Sequence, residues 1–279
     1  APTIFLGVPR IWEKLHASIS IKMQEAGRLQ QWLYRRALAA CAPFLEKSPA
    51  QYTARERLTH ALWYWLVLRA LQNFIGLRRV RVAMTGAAPI PPDVVLYFRN
   101  LGVPLLEVYG LTESAGMIFG QHPDRVKVGT VGEPILGVDW KMGDAGELLV
   151  RGDMVFQGYY KHAEATADTV RDGWLHTGDV VAEQDGRIRI VDRLKDIMIT
   201  AGGKNLTPSE IENAVKGSPY VKECIVIADG RKYVSALIQL EFDTVGKWAD
   251  SRRIAFTHFR SLAECAQVRE LVQQEVARA

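Results

Sequence analysis

Cysteine is scarce: Cys41, Cys224 and Cys265 are the only three among 279 residues. They stand far apart, without the paired spacing of a zinc site or the density of a disulfide scaffold, so a reducing, cytoplasmic setting is expected. Charge of one sign never runs for long, and the formal net charge of +4 is small for this length. Nothing in that balance calls for nucleic acid, and none is expected as a partner. Long hydrophobic runs are missing as well. The longest, Ala61 to Ala70, is too short to span a bilayer and is interrupted by Arg69, so it reads as a buried or interfacial helix. The first residues have neither a starting methionine nor the basic-then-apolar pattern of a secretory signal. They read as a strand entering a loop, and the chain is expected to begin mid-domain.

What is present suits a globular protein of one large or two smaller domains, with 48% hydrophobic and 24% charged residues. From Ile11 to about Ala40, Ile11, Leu15, Ile19 and Met23 recur at helical spacing. A second helical region runs from about Thr53 to Ile75, with Pro43 and Pro49 separating the two. Val80 to Met84 is β-rich, a helix is predicted from about Pro92 to Asn100, and Pro104 to Tyr109 reads as another strand. The order is that of an α/β fold, in which ligands gather at strand ends.

After about Ser114 the texture turns to short strands with hairpin signals at Asp172-Gly173 and Asp185-Gly186. Arg187 to Val191 alternates like a half-buried strand and leads into Asp192-Arg-Leu-Lys-Asp, which reads as a domain junction. Thr207-Pro-Ser-Glu then predicts a capping box opening a helix through about Lys216.

Four segments carry chemistry. Thr85-Gly86-Ala87-Ala88-Pro89 sets small residues directly after a strand, where backbone groups can approach a flat ligand; an ordinary tight turn would explain it equally well. Tyr109-Gly110-Leu111-Thr112-Glu113 joins an aromatic face, a glycine, a hydroxyl and a carboxylate able to hold a hard cation, which suits a nucleotide with phosphates and Mg²⁺. Thr177-Gly178-Asp179 puts a carboxylate past a glycine turn, where it can accept from ribose hydroxyls, though the tripeptide alone is common. Asp192 to Asp196 could by itself be a solvated connector.

Taken in order, these four segments resemble the adenylate-forming (AMP-binding) superfamily. Pro9-Arg-Ile-Trp-Glu-Lys, Arg151-Gly-Asp-Met-Val-Phe-Gln-Gly-Tyr-Tyr and Ile199-Thr-Ala-Gly-Gly-Lys-Asn-Leu-Thr-Pro-Ser-Glu-Ile-Glu extend the likeness, the first and last toward the long-chain fatty acyl-CoA synthetase type. The resemblance implies an enzyme that activates a long-chain fatty acid with ATP and Mg²⁺ to an acyl-adenylate and transfers it to coenzyme A. It implies that Gly86, Ala87, Ala88 and Tyr109 frame adenine, that Thr112 meets the α-phosphate, and that Glu113 holds Mg²⁺. Asp179 and Arg193 would take the ribose, while Gly110 and the loop through Gly116 would lie near the acyl carboxylate. It further implies a large AMP-binding domain over 1–191, with a β-rich subdomain at about 114–191. A hinge over 192–196 would pivot at Lys195, and a truncated small C-terminal domain would cover 197–279, with Gly202 and Gly203 on the loop serving the thioester step.

Two family elements are absent from these 279 residues. Upstream of Thr85 only Gly7, Gly27 and Gly76 occur, so there is no Gly-rich phosphate loop, and no lysine follows Lys247 to serve as the adenylation lysine. Ile199 also occupies a position where some relatives have lysine. The chain is therefore expected to be a fragment with little or no turnover of its own. The alternatives are a ligase for another acid or acceptor (an aryl-CoA ligase or an acyl-AMP ligase) and a non-catalytic interaction module. In the latter, Trp63, Tyr64 and Trp65 would mark a partner or peripheral membrane surface.

Overall fold

A computed structural model describes residues 2–45, 47 and 49–279; Ala1, part of the expected first strand, lies outside the described residues. The chain opens with β1 (Ile4–Gly7), α1 (Pro9–Glu25), α2 (Arg28–Cys41) and α3 (Ala54–Trp63), followed by a π-helical turn, Tyr64–Leu68, and α4 (Arg69–Phe74). Next come β2 (Val82–Thr85), α5 (Pro92–Asn100), β3 (Leu105–Leu111), β4 (Gly116–Gly120) and β5 (Glu133–Pro134). After them lie β6 (Asp139–Met142), β7 (Glu147–Arg151), α6 (Ala163–Thr169), β8 (Val170–Arg171), β9 (Trp174–Gln184) and β10 (Arg187–Arg193). The remainder is β11 (Met198–Ile199), β12 (Asn205–Leu206), α7 (Pro208–Lys216), β13 (Val221–Ile227), β14 (Ser235–Leu240), α8 (Phe242–Ser251), α9 (Phe259–Glu264) and α10 (Ala266–Arg278).

The expected α/β architecture is the one adopted. A first sheet has the order β1-β2-β3-β4-β5, parallel through β3 and antiparallel beyond it. A second, antiparallel sheet runs β10-β9-β7-β6, with β8 paired to β9. Backbone hydrogen bonds Val131 N to Ile188 O (2.8 Å) and Ile188 N to Gly132 O (3.0 Å) tie the two sheets together. The β-rich texture expected after Ser114 is present, and both Asp-Gly pairs form two-residue turns with positive φ at each residue.

Three expectations need correction. The helical run from Ile11 to Ala40 is two helices, because Gly27 is extended and Gln30 Oε1 accepts its N–H (3.1 Å), restarting the helix. The first strand does not enter a loop; Pro9 stands at the first helical position directly after Val8. Thr207 is the N-cap residue of α7, but its side chain makes no capping bond. Asp192 at the end of β10 does that work, accepting from Ser209 N (3.1 Å) and Ser209 Oγ (2.8 Å), while Glu210 is drawn off to Arg189 (2.8 Å). A buried carboxylate from a neighbouring strand takes the first-turn N–H of Ser209 in place of the local hydroxyl.

The first sheet is buried against α1, α2, α4 and α5 through a cluster that includes Trp12, Ile19, Leu71, Val95 and Phe98. Trp12 is fully buried. Its ring meets Phe5 and Phe98 edge to face (centroids 5.3 and 4.9 Å), and its Nε1 donates to Gly7 O at 3.1 Å. A second core lies over the antiparallel sheet (Phe119, Leu148, Val150, Leu175, Ile188), and a third joins α8, α9 and α10. Trp12→Ala should cost about 3–5 kcal/mol of stability in a urea titration; a loss below about 1 kcal/mol would show that this ring is not the centre of the first core.

Candidate nucleotide site

The site is assembled where the ends of β2 and β3 meet β9 and β10. Thr85 pairs with Glu107 in the parallel ladder, so the loop after β2 lies beside the end of β3, the strand that carries Tyr109. Ala87 and Ala88 are exposed on that loop, Ala87 with φ of +70°. Gly86 has no room for a side chain, since a Cβ there would meet Val108 O at 2.7 Å. Beneath the loop, Thr85 Oγ1 is buried without a hydrogen-bond partner.

Tyr109 Oη donates to Asp179 Oδ2 at 2.5 Å, and Arg193 Nε lies 3.1 Å from Asp179 Oδ1. Asp179 and Arg193 are directly opposed across the β9–β10 ladder, the closest relation two side chains on neighbouring strands can have. Burial raises the pKa of the Asp179 carboxyl, against the pull of the Tyr109 hydroxyl and of Arg193. Burial and the adjacent carboxylate push the Tyr109 phenol upward, keeping it a donor. An ionised carboxylate offers about four acceptor positions, so with two engaged Asp179 can still accept from a ligand hydroxyl.

The turn presenting Asp179 is held from β7. Glu147 Oε1 accepts from Gly178 N (2.9 Å), Glu147 Oε2 lies 2.9 Å from His176 Nδ1, and Thr177 Oγ1 donates to Leu148 O (2.7 Å) and accepts from Asp179 N (3.1 Å). On the far side Leu194 N donates to Gly178 O at 2.8 Å, joining the turn to the segment that follows β10.

Thr112 and Glu113 occupy a single 3-10 turn, Thr112–Ser114, between β3 and β4. Gly110 is obligatory there, since a Cβ would fall 1.8 Å from Gly116 O; the space beside it is already filled by backbone. Ser114 Oγ accepts from Leu111 N (3.0 Å) and donates to Gly116 O (2.9 Å), and Phe156 N donates to Glu113 O (2.8 Å). Thr112 is exposed, and Glu113 Oε1 accepts from Tyr159 Oη at 2.6 Å. Among the described residues no group of three or more His, Cys, Asp or Glu forms a metal site. A lone carboxylate at Glu113 fits Mg²⁺ in the way that ion is often held, by one or two carboxylates together with ligand phosphates and waters.

Lys195 is exposed in the turn after β10, and Gly202 and Gly203 lie on the exposed β11–β12 turn, whose backbone bonds run to Lys204 and Arg231 and not to the Tyr109–Asp179 group. Four residues beyond the sequence reading contribute. Glu147 and Tyr159 hold the two turns; Glu147 carries no local sequence signal, and Tyr159 lies in the Arg151–Tyr160 segment without a role assigned to it. Asp192, the first residue of the expected hinge segment, has a further part in holding α7. Glu107 was legible, being a carboxylate within an apolar strand two residues before Tyr109; it is buried, accepts from Gly129 N (3.0 Å), and is pushed up to about 7 by burial.

This geometry defines an α/β protein with polar groups gathered at its strand ends, and comparison with known proteins gives the particular family. Residues 1–160 match the AMP-binding enzyme family and residues 195–260 its C-terminal domain. The chain belongs to the AMP-binding enzyme family. It is similar to fadD11 of Mycobacterium tuberculosis, named as a fatty-acid–CoA ligase, with 38% identity over 260 residues, 90% of this chain and 45% of the relative. It is also similar to the long-chain-fatty-acid–CoA ligase FadD15 of Mycobacterium tuberculosis, with 32% identity over 88% of this chain and 41% of the relative. Among solved structures, the adenylation domain of a carboxylate reductase from Mycobacterium chelonae superimposes with a TM-score of 0.65 at 26% identity, over 99% of this chain and 39% of its own. The chain thus spans about 45% of the length of the first of these relatives.

Glu107 yields a pH prediction. Its folded pKa lies above the ordinary 4.5, so between about 4.5 and about 7 the folded chain keeps a proton that the unfolded chain has released. Its contribution therefore makes stability fall as pH rises through that window. Glu107→Gln retains an acceptor for Gly129 N–H and should be more stable than the parent near pH 8, by up to about 3 kcal/mol, with the advantage gone near pH 5. Urea titrations at both pH values check this, and a difference independent of pH would refute it.

Proposed function

We propose that this chain supplies the adenine, ribose and Mg²⁺ side of a ligase that activates a long-chain fatty acid. In that reaction a carboxylate oxygen attacks the α-phosphorus of ATP, pyrophosphate leaves, and the thiol of coenzyme A then displaces AMP from the acyl-adenylate. The observation that carries the reading is the buried Asp179 held between Tyr109 and Arg193, an acceptor and a cation set beside an aromatic ring. Two relatives named as fatty-acid–CoA ligases supply the acid and the acceptor. O-Succinylbenzoate coenzyme A synthetase of Bacillus subtilis, 26% identical with a TM-score of 0.53 over 66% of this chain and 42% of its own, is in complex with ATP and magnesium ion, which supports those two cofactors here.

In this reading Gly86, Ala87, Ala88 and Tyr109 border the adenine, and Asp179 accepts from the ribose while Arg193 neutralises it. Thr112 donates to the α-phosphate, Glu113 contributes one oxygen to Mg²⁺, and Gly110 with the loop through Gly116 borders the acyl carboxylate. The work is positioning and charge neutralisation. Residues 1–191 belong to the large domain, with a β-rich part at about 114–191. Residues 192–196 are the hinge with its pivot at Lys195, and 197–279 belong to the small domain, whose Gly202 and Gly203 serve the thioester step. The protein works in the cytoplasm, with contact to membranes at its periphery. The isolated chain is a binding unit whose turnover of palmitate, ATP and coenzyme A does not exceed that of Glu113→Ala.

Isothermal titration of the chain with AMP tests the site. Asp179→Ala should weaken binding roughly 10- to 100-fold, the loss associated with hydrogen bonds to a charged group; an unchanged dissociation constant removes Asp179 from the ribose role. In the longer protein that contains this chain, Lys195→Pro should spare acyl-adenylate formation and suppress thioester formation. Equal loss of both half-reactions would count against a hinge at Lys195.

A further inference from the structure

The carboxylate of Glu113 is held at one oxygen only. Tyr159 Oη donates to its Oε1 at 2.6 Å, and among the described residues nothing else bonds that carboxylate, so Oε2 has no partner. The backbone of the same residue is held from the same stretch of chain, where Phe156 N donates to Glu113 O at 2.8 Å. Residues 151–160, which extend the likeness to the family, therefore grip Glu113 twice, once through its main chain and once through its side chain.

Tyr159 lies at the surface, yet it is firmly placed. Its N–H donates to Thr166 Oγ1 (2.9 Å), its carbonyl accepts from His162 N (3.1 Å), and its ring meets Phe156 edge to face with centroids 4.8 Å apart. Thr166 Oγ1 in turn donates to His162 O (2.9 Å), which ties the residue to the first turn of α6. Gly158 makes this approach possible: its φ is +143°, and a Cβ there would meet Thr166 Cγ2 at 2.6 Å. The phenol is thus delivered to Glu113 by a packed element rather than by a wandering side chain.

We infer that Tyr159 is a positioning residue that makes Glu113 a one-oxygen ligand and thereby selects Mg²⁺ over Ca²⁺. The inference rests on the reading of Glu113 as the Mg²⁺ carboxylate. A hydroxyl on Oε1 occupies that oxygen and leaves Oε2 for the cation. Mg²⁺ demands near-ideal octahedral geometry and is satisfied by single carboxylate oxygens together with phosphates and waters, whereas the larger Ca²⁺ gathers more oxygens and often takes both from one carboxylate. To chelate through both oxygens of Glu113, Ca²⁺ must displace the Tyr159 hydroxyl; Mg²⁺ need not. A glutamate also loses rotamer freedom when a metal fixes it, and the bond to Tyr159 imposes that order before the metal arrives.

Isothermal titration of the chain with ATP, without metal, with Mg²⁺ and with Ca²⁺, tests this in the parent, Tyr159→Phe, Tyr160→Phe and Glu113→Ala. Tyr159→Phe removes only a hydroxyl from a side chain at the surface, so ATP binding without metal should match the parent. The gain in affinity from Mg²⁺ should fall about ten-fold, the scale of losing a group that orients a metal ligand. The gain from Ca²⁺ should fall less or rise, so the preference for Mg²⁺ over Ca²⁺ drops. Tyr160→Phe, altered at the neighbouring exposed ring, should keep the preference of the parent. The inference is overturned if Tyr159→Phe keeps the Mg²⁺ gain of the parent, if both metal gains fall by the same factor, as simple support of the turn would give, or if Tyr160→Phe loses the preference equally. Glu113→Ala separates this from the reading beneath it. Loss of the Mg²⁺ gain in Glu113→Ala, with the preference intact in Tyr159→Phe, overturns the role of Tyr159 alone. A Mg²⁺ gain that survives Glu113→Ala, or is absent from the parent, removes Mg²⁺ from Glu113 and the inference with it.

Discussion

A carboxylate taken out of water must be surrounded by donors, and the junction of the two sheets is organised around meeting that requirement at Asp179. Its side chain is 5% exposed, a position in which an unpartnered charge would be strongly unfavourable. The first sheet supplies a hydroxyl from Tyr109 and the second supplies a guanidinium from Arg193. One donor comes from each sheet, so the environment of Asp179 depends on the way the two sheets meet. Arg193 is 61% exposed, so its guanidinium neutralises Asp179 while remaining open to solvent.

Backbone packing sets the rest of the site with little tolerance. Gly86 lies against Val108 O and Gly110 against Gly116 O, so the loop after β2 and the turn after β3 are locked to their neighbours before any ligand arrives. Thr112 and Glu113 are thereby held on a short turn whose position depends on hydrogen bonds from Ser114 and Phe156. Preorganisation of this kind lowers the ordering cost of binding a ligand at such a turn.

Strand β10 ends by facing two ways. Arg193 turns to Asp179, while Asp192 is buried and accepts from the first turn of α7. Successive side chains on a strand point to opposite faces, which gives these adjacent residues their separate partners. The Asp179 group and the helix beyond the Asp192–Asp196 segment are thus connected through consecutive side chains. Any rotation at Lys195 would have to reckon with the Asp192–Ser209 bonds.

The sequence by itself determined whatever depends on local periodicity and turn chemistry: α5 over Pro92–Asn100, the two Asp-Gly turns, the α/β order, and the segments holding Tyr109, Glu113 and Asp179. These were legible because strand alternation, helix spacing and positive-φ turns are properties of a few neighbouring residues. The break at Gly27 was missed because a single glycine inside a helical pattern is usually tolerated, and here Gln30 supplied the new cap. Only the tertiary structure decided that Asp192, and not Thr207, caps α7, that Glu147 holds the Asp179 turn through Gly178, 31 residues away, and that Trp65 faces solvent while Trp63 and Tyr64 pack against the core. The physical reason is common to all three. Each depends on which groups compete for one hydrogen bond or one patch of buried surface, and the competitors come together only when the sheets and helices have packed.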